Sequence, residues 1–194
     1  MHSVRVIKIG GSLLSFDALV PALRDWLAAE PPARNVLLVG GGAFTNHVRD
    51  CDRRFGFDPA QAHWLCIRLL DVNTRMLSLL LPDATFVDRF EPLQEMLANA
   101  GREGLWLFSP EEFLQRFEPQ VQGAKLPADW TATSDSIAAR VAAALLAVEL
   151  VLVKSADPPR ASDAAQLARE GYVDEFFPQA SRNLPAVRYV NLRG

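Results

Sequence analysis

Cysteine is scarce. Cys51 and Cys66 are the only two in 194 residues, too few and too isolated for a disulfide framework or a cysteine metal cage. Two free thiols suit a reducing compartment, so a cytoplasmic location is expected. No cationic segment followed by an apolar run opens the chain, so no secretory leader is expected. Membrane-length apolar runs are missing too. The longest apolar stretch, residues 141–153, contains Glu149 and is too short to span a bilayer. No basic block stands out, and the net charge is −3, which argues against nucleic acid as a partner. There is no repeat, low-complexity tract or dividing linker, so residues 1–194 are expected to form one domain. The composition is ordinary for a globular protein, 49% hydrophobic and 22% charged, and the length allows a substantial core.

Strands and helices alternate from end to end. Apolar runs at 4–9, 35–39, 84–87, 105–108, 149–153 and 187–191 read as strands. Phe16, Leu19, Val20, Leu23 and Leu27 repeat at helical spacing up to Glu30-Pro31-Pro32. Further helices are expected at 44–54, 59–81, 92–100, 134–147 and 163–169, with a short one opening at Ser109-Pro110-Glu111-Glu112. Residues 117–129 read as irregular. This order predicts an α/β fold, a three-layer αβα sandwich around a mainly parallel sheet. Ligands of such sheets bind beyond the carboxyl ends of the strands.

Four stretches fall at that edge. The first is Lys8-Ile9-Gly10-Gly11-Ser12. Its lysine precedes the glycines, so it is not a Walker A loop, and no G-x-G-x-x-G is present. A strand feeding a helix through glycines exposes N–H groups that suit phosphate, and a charge at the end of an apolar strand needs a partner. The second, Gly40-Gly41-Gly42, lets a ligand approach the main chain closely. Arg49 follows one to two turns into the next helix and can reach a second anion, or simply be a solvated arginine. His47 reads as a surface histidine. The third stretch runs from Asp129 and Trp130 to Thr133-Ser134-Asp135-Ser136. Thr133 or Ser134 suits an N-cap and Asp135 the first turn; Asp135 can also hold lysines or meet a nucleotide's magnesium ion. The fourth is Lys154-Ser155-Ala156-Asp157-Pro158, again a strand end followed by a polar turn. Two lysines, two glycine turns and a carboxylate suit phosphoryl transfer, which works by positioning and charge neutralisation.

In this order the four stretches resemble the amino acid kinase (carbamate kinase-like) family. Ala62-His63-Trp64, Trp130 with Thr133-Ser134-Asp135, and Lys154-Ser155-Ala156-Asp157 look most like the branch acting on [5-(aminomethyl)furan-3-yl]methyl phosphate in methanofuran biosynthesis. The resemblance implies an ATP- and Mg2+-dependent small-molecule kinase. Lys8, Asp135 and Lys154 would be catalytic, with Asp135 organising the lysines. Gly10, Gly11, Ser12, Ser134, Ser155 and Asp157 would lie against ATP. Gly40, Gly41, Gly42 and Arg49 would hold the acceptor, and no residue would serve as a protein metal ligand. An acceptor that is itself a phosphate monoester would yield a diphosphate and need no general base. Isopentenyl phosphate, UMP, or a carboxylate or carbamate acceptor are alternatives, as is an anion-binding protein without turnover. Pro158 and Pro159 stand where many members carry a glycine, which leaves nucleotide preference open. A homodimer or higher homo-oligomer is implied; Trp64, Leu65, Leu69 and Leu70 on the long helix are either its surface or part of the protomer's own core.

Overall fold

The computed structural model describes residues 3–101, 103–160 and 163–194. Six strands form one sheet: β1 (Val4–Ile9), β2 (Arg34–Val39), β3 (Thr85–Val87), β4 (Gly104–Phe108), β5 (Glu149–Lys154) and β6 (Val187–Asn191). Their order is β3-β4-β2-β1-β5-β6 and every pairing is parallel. The helices are α1 (Leu19–Ala29), α2 (Gly42–Phe55), α3 (Pro59–Leu80), α4 (Phe90–Asn99), α5 (Glu111–Arg116), α6 (Ser134–Ala144), α7 (Ala164–Arg169) and α8 (Phe177–Ala180).

Helices cover both sheet faces, as the near-continuous apolar strands require. On one face Val6, Val36, Leu38, Leu150 and Leu152 pack against α4, α5 and α6. On the other, Ile7, Ile9, Leu37, Val39, Val151 and Val153 pack against Leu13, Leu19 and Leu23. The long α3 serves both faces, with Ile67 and Leu70 in the first cluster and Leu77 in the second. Leu70 is therefore a core residue and not part of an outer surface. Leu65, Val72, Met76, Leu79 and Leu80 are the exposed apolar residues of that helix. Among the described residues no helix is long and apolar enough to cross a membrane.

Five details depart from the expected pattern. Gly11–Ser15 is a 3-10 turn, and α1 starts only at Leu19. Pro21 explains this: in the first turn of α1 it removes no helical bond, whereas a helix begun at Gly11 would carry it inside. The helix at Ser134 ends at Ala144. Leu146 takes a left-handed φ of 51° and Ala147 N donates to Ala142 O at 2.9 Å, a closure that ordinarily advertises itself by glycine. The helix after Ser109 has Pro110 at its N-cap without a side-chain bond. Its Glu112 instead accepts from Phe90 N at 2.8 Å and so caps α4. Phe177–Ala180 is a short helix with no counterpart in the expected pattern, and residues 118–120 form a 3-10 turn.

Candidate active site

Strand alternation decides where the lysines go. Val6 and Lys8 share one face of β1, and Leu150, Leu152 and Lys154 share the same face of β5. That face is covered by α6, whose first turn carries Asp135. Lys8 Nζ lies 2.8 Å from Asp135 Oδ1, and Lys154 Nζ donates to Asp135 Oδ2 at 2.8 Å. Lys8 and Lys154 thus each take one oxygen of the same buried carboxylate. Lys154 also donates to the main-chain oxygen of Tyr172, whose ring centroid is 4.9 Å from Nζ.

The buried triad is held by charge. Burial pushes the Asp135 carboxyl upward, but the charges of Lys8 and Lys154 outweigh it and keep it below the usual carboxylate range. Lys154 is shifted below the ordinary lysine range, first by burial and then by the charge of Lys8, with Asp135 opposing. Like charges are thus gathered at the strand ends, which is unfavourable unless an anion joins them.

The two glycine turns touch each other. A Cβ on Gly11 would fall on Gly42 N, and one on Gly40 would come within 2.8 Å of Gly11 N, 3.0 Å of Ser134 Oγ and 3.3 Å of Lys8 Cε. Gly42 has φ +56° as well. These positions therefore require glycine whatever binds there. Asn73, fully buried on α3, donates from Nδ2 to Gly40 O at 2.8 Å and Gly41 O at 2.9 Å. At α6 the N-cap is Thr133, but its own side chain does not cap. Asp174 does so, accepting from Thr133 N, Thr133 Oγ1 and Ser136 N at 2.9 Å each and from Ser136 Oγ.

A cavity of about 550 Å³ opens beside the triad. Lys8, Gly11, Ser12, Gly41, Gly42, Arg49 and Ser134 line it, together with His63, Asp129 and Trp130. Arg49 stacks over Trp130 at 4.8 Å, and Trp130 Nε1 donates to Asp52 Oδ2 at 2.7 Å. Gly10, Gly40, Asp135 and Lys154 sit behind this lining. Ser155 bonds Ser12 at 2.9 Å, and Asp157 is exposed. Neither lines the cavity, and Ser155 meets it only through Ser12. His47 contacts Cys51 at 3.7 Å and stays outside the lining. Burial pushes the Cys66 thiol up to about 11, so this cavity thiol stays protonated and unreactive.

Magnesium fits here only as an ion brought in on nucleotide phosphates. Both oxygens of Asp135 face lysines, and among the described residues no group of three His, Cys, Asp or Glu is placed to hold a metal. Of the two roles expected of Asp135, holding the lysines is the one its contacts display.

Asn73, Tyr172 and Asp174 were not legible as site residues. Asn73 had one signal: a polar residue at the buried spacing Ile67, Leu70, Asn73 and Leu77. Asp174 acts about 40 residues from the helix it caps and leaves no local trace.

Comparison with known proteins places this geometry. The all-parallel sheet with glycine turns at its carboxyl edge is the amino acid kinase fold. It is shared with the uridylate kinase from Archaeoglobus fulgidus (TM-score 0.63, 16% identity, 97% of this chain and 90% of that one). The UMP kinase from Bacillus anthracis is also similar (TM-score 0.67, 14% identity, 100% of this chain and 88% of that one). In sequence, the chain is 24% identical over 156 residues to the [5-(aminomethyl)furan-3-yl]methyl phosphate kinase of Methanocaldococcus jannaschii, covering 79% of this chain and 67% of that protein. All three are kinases, that is, phosphotransferases. No family model matches the chain.

Proposed function

We propose that the protein transfers the γ-phosphoryl group of ATP to a small phosphate monoester, giving a diphosphate and ADP. The acceptor we favour is [5-(aminomethyl)furan-3-yl]methyl phosphate, the substrate named for the sequence relative. One observation carries the reading: Asp135 joins Lys8 and Lys154 at 2.8 Å each, beside two interlocked glycine turns. An acceptor phosphate oxygen attacks the γ-phosphorus, and the bond to the β–γ bridging oxygen breaks, its electrons leaving with ADP. Lys8 bears on the charge of the transferred group, Asp135 fixes both ammonium groups, and Lys154 faces the departing ADP. Gly10, Gly11, Ser12, Ser134, Ser155 and Asp157 are assigned to the nucleotide, and Gly40, Gly41, Gly42 and Arg49 to the acceptor. Magnesium, carried on ATP, would neutralise phosphate charge. A phosphate oxygen is nucleophilic without help, so no general base is needed.

The test is phosphorus NMR of purified protein with Mg-ATP and the acceptor. A diphosphate signal is expected. Its absence with this compound, isopentenyl phosphate and UMP alike would overturn the reading. Lys8→Ala is expected to lower kcat by about 10²–10³-fold, the range for removing one transition-state charge contact, with the circular dichroism spectrum unchanged. A homo-oligomer across the exposed apolar face of α3 is part of the proposal, and light scattering measures it.

A further inference from the structure

The cavity holds a carboxylate that a purely anionic acceptor does not explain. One end is fixed by the glycine turns, because Asn73 of α3 bonds Gly40 and Gly41 there. His63 lies ten residues earlier on the same helix, about 15 Å away at 1.5 Å per residue. Arg49 lies seven residues beyond Gly42 on α2, about 10 Å along that axis. Asp129 and Trp130 neighbour these remote residues: the ring of His63 interacts with Asp129, and Trp130 stacks under Arg49 and bonds Asp52. The end remote from Lys8 therefore carries the Asp129 carboxylate together with the Arg49 guanidinium, which lies on Trp130 and is not paired with Asp129.

The state of Asp129 is well defined. Its Oδ1 accepts from Thr131 N at 2.8 Å and from Thr131 Oγ1 at 2.5 Å. Those bonds, the hydroxyl first, hold its carboxyl below the usual range. No lysine or arginine pairs with it among the described residues, and Oδ2 takes no protein donor. Its neighbour His63 is pushed below the ordinary histidine range, chiefly by burial, so it is neutral at pH 7 and does not cancel the charge. An unpaired carboxylate in a cavity that also collects phosphate would repel an acceptor carrying negative charge alone. It rewards an acceptor of mixed charge, which is how repulsion and attraction together produce specificity.

Resting on the kinase reading above, we infer that Asp129 is a specificity-determining residue that binds a primary ammonium group at the end of the acceptor remote from its phosphate. The aromatic face of Trp130 and the apolar side chains of Ile67 and Leu70 line the space between, so the linking scaffold is small and apolar.

Two probes test this: an arylmethyl phosphate carrying an aminomethyl group, and its hydroxymethyl analogue of equal size. Calorimetry without nucleotide measures binding, and phosphorus NMR with Mg-ATP measures turnover. Wild type is expected to prefer the amine by about 10- to 100-fold, the range for a hydrogen bond to a charged group. In Asp129→Asn, which keeps an acceptor for Thr131, the ratio is expected to fall towards one. Asp129→Glu keeps the charge and should restore part of the preference. Equal binding of both probes by wild type, binding of neither, or an unchanged ratio in Asp129→Asn would overturn the inference. Preference in binding without turnover would reject the kinase reading and leave this one standing. Turnover of both probes without preference would do the reverse.

Discussion

Asn73 shows how much one buried amide can fix. Its single Nδ2 reaches two successive carbonyl oxygens, those of Gly40 and Gly41, so the turn is held from α3, while the Gly40 N–H is itself bonded to Ile9 O at 2.8 Å. Asn73→Leu is of similar volume and removes the donor. It is expected to cost about 1–3 kcal/mol, the penalty for stranding buried acceptors, and to raise the acceptor KM more than the ATP KM. Denaturant unfolding and steady-state kinetics read the two effects. Lys154 supports a pH prediction. Its pKa is lowered, so its proton leaves below the ordinary lysine range. Transfer needs the charged form, and kcat/KM reports the free enzyme. The alkaline limb of kcat/KM for ATP is therefore expected below the usual lysine value, and Lys154→Arg is expected to push it out of range. Lys8, Lys154 and Asp135 were legible in the sequence because charge at a strand end or helix start stands out against apolar neighbours. Tyr172 was not, since it contributes a main-chain oxygen that any residue offers.

At the scale of elements, α6 is the part on which the site depends most. Its first turn presents Asp135, and Asp174 caps it from outside by accepting from the main-chain N–H groups of Thr133 and Ser136. A carboxylate at that terminus answers both the open donors and the helix dipole. Asp174→Ala is expected to lower stability by about 1–2 kcal/mol, the usual worth of a cap, and to lower kcat as Asp135 loses its position. A denaturant midpoint shift at constant m-value, with reduced turnover, is the expected signature. The strands were read nearly to the residue, because buried parallel strands are continuous apolar runs. Helix ends were read less well. They hung on Pro21, on a left-handed Leu146 and on Glu112 capping a different helix, and each is settled by tertiary contact.

For the molecule as a whole, the sheet keeps binding and cohesion at opposite edges. The carboxyl edge gathers Lys8, Lys154 and Asp135, the residues assigned to the proposed transfer. The amino edge carries a closed ionic network: Arg5 reaches Glu149 at 2.5 Å and Asn35 at 3.2 Å, and Arg188 grips Glu30 with two bonds of 2.7 Å and Glu149 with one of 3.3 Å. This ties the first residues of β1, β2, β5 and β6 to the end of α1. Arg5 and Lys8 lie three residues apart on β1, about 10 Å at strand rise, so the networks share a strand and no side chain. Loss of one should leave the other working. Glu149→Gln weakens the contacts to Arg5 and Arg188, and a lost bond to a charged group costs about 1–3 kcal/mol. For a chain of this size that corresponds to roughly 2–4 °C of Tm per kcal/mol. Calorimetry is therefore expected to show a Tm lower by several degrees, while kcat/KM at 25 °C stays within about twofold. A parallel loss of activity in still-folded protein would mean that the strands couple the two edges, and the sheet would then be part of the catalytic machinery and not only its frame.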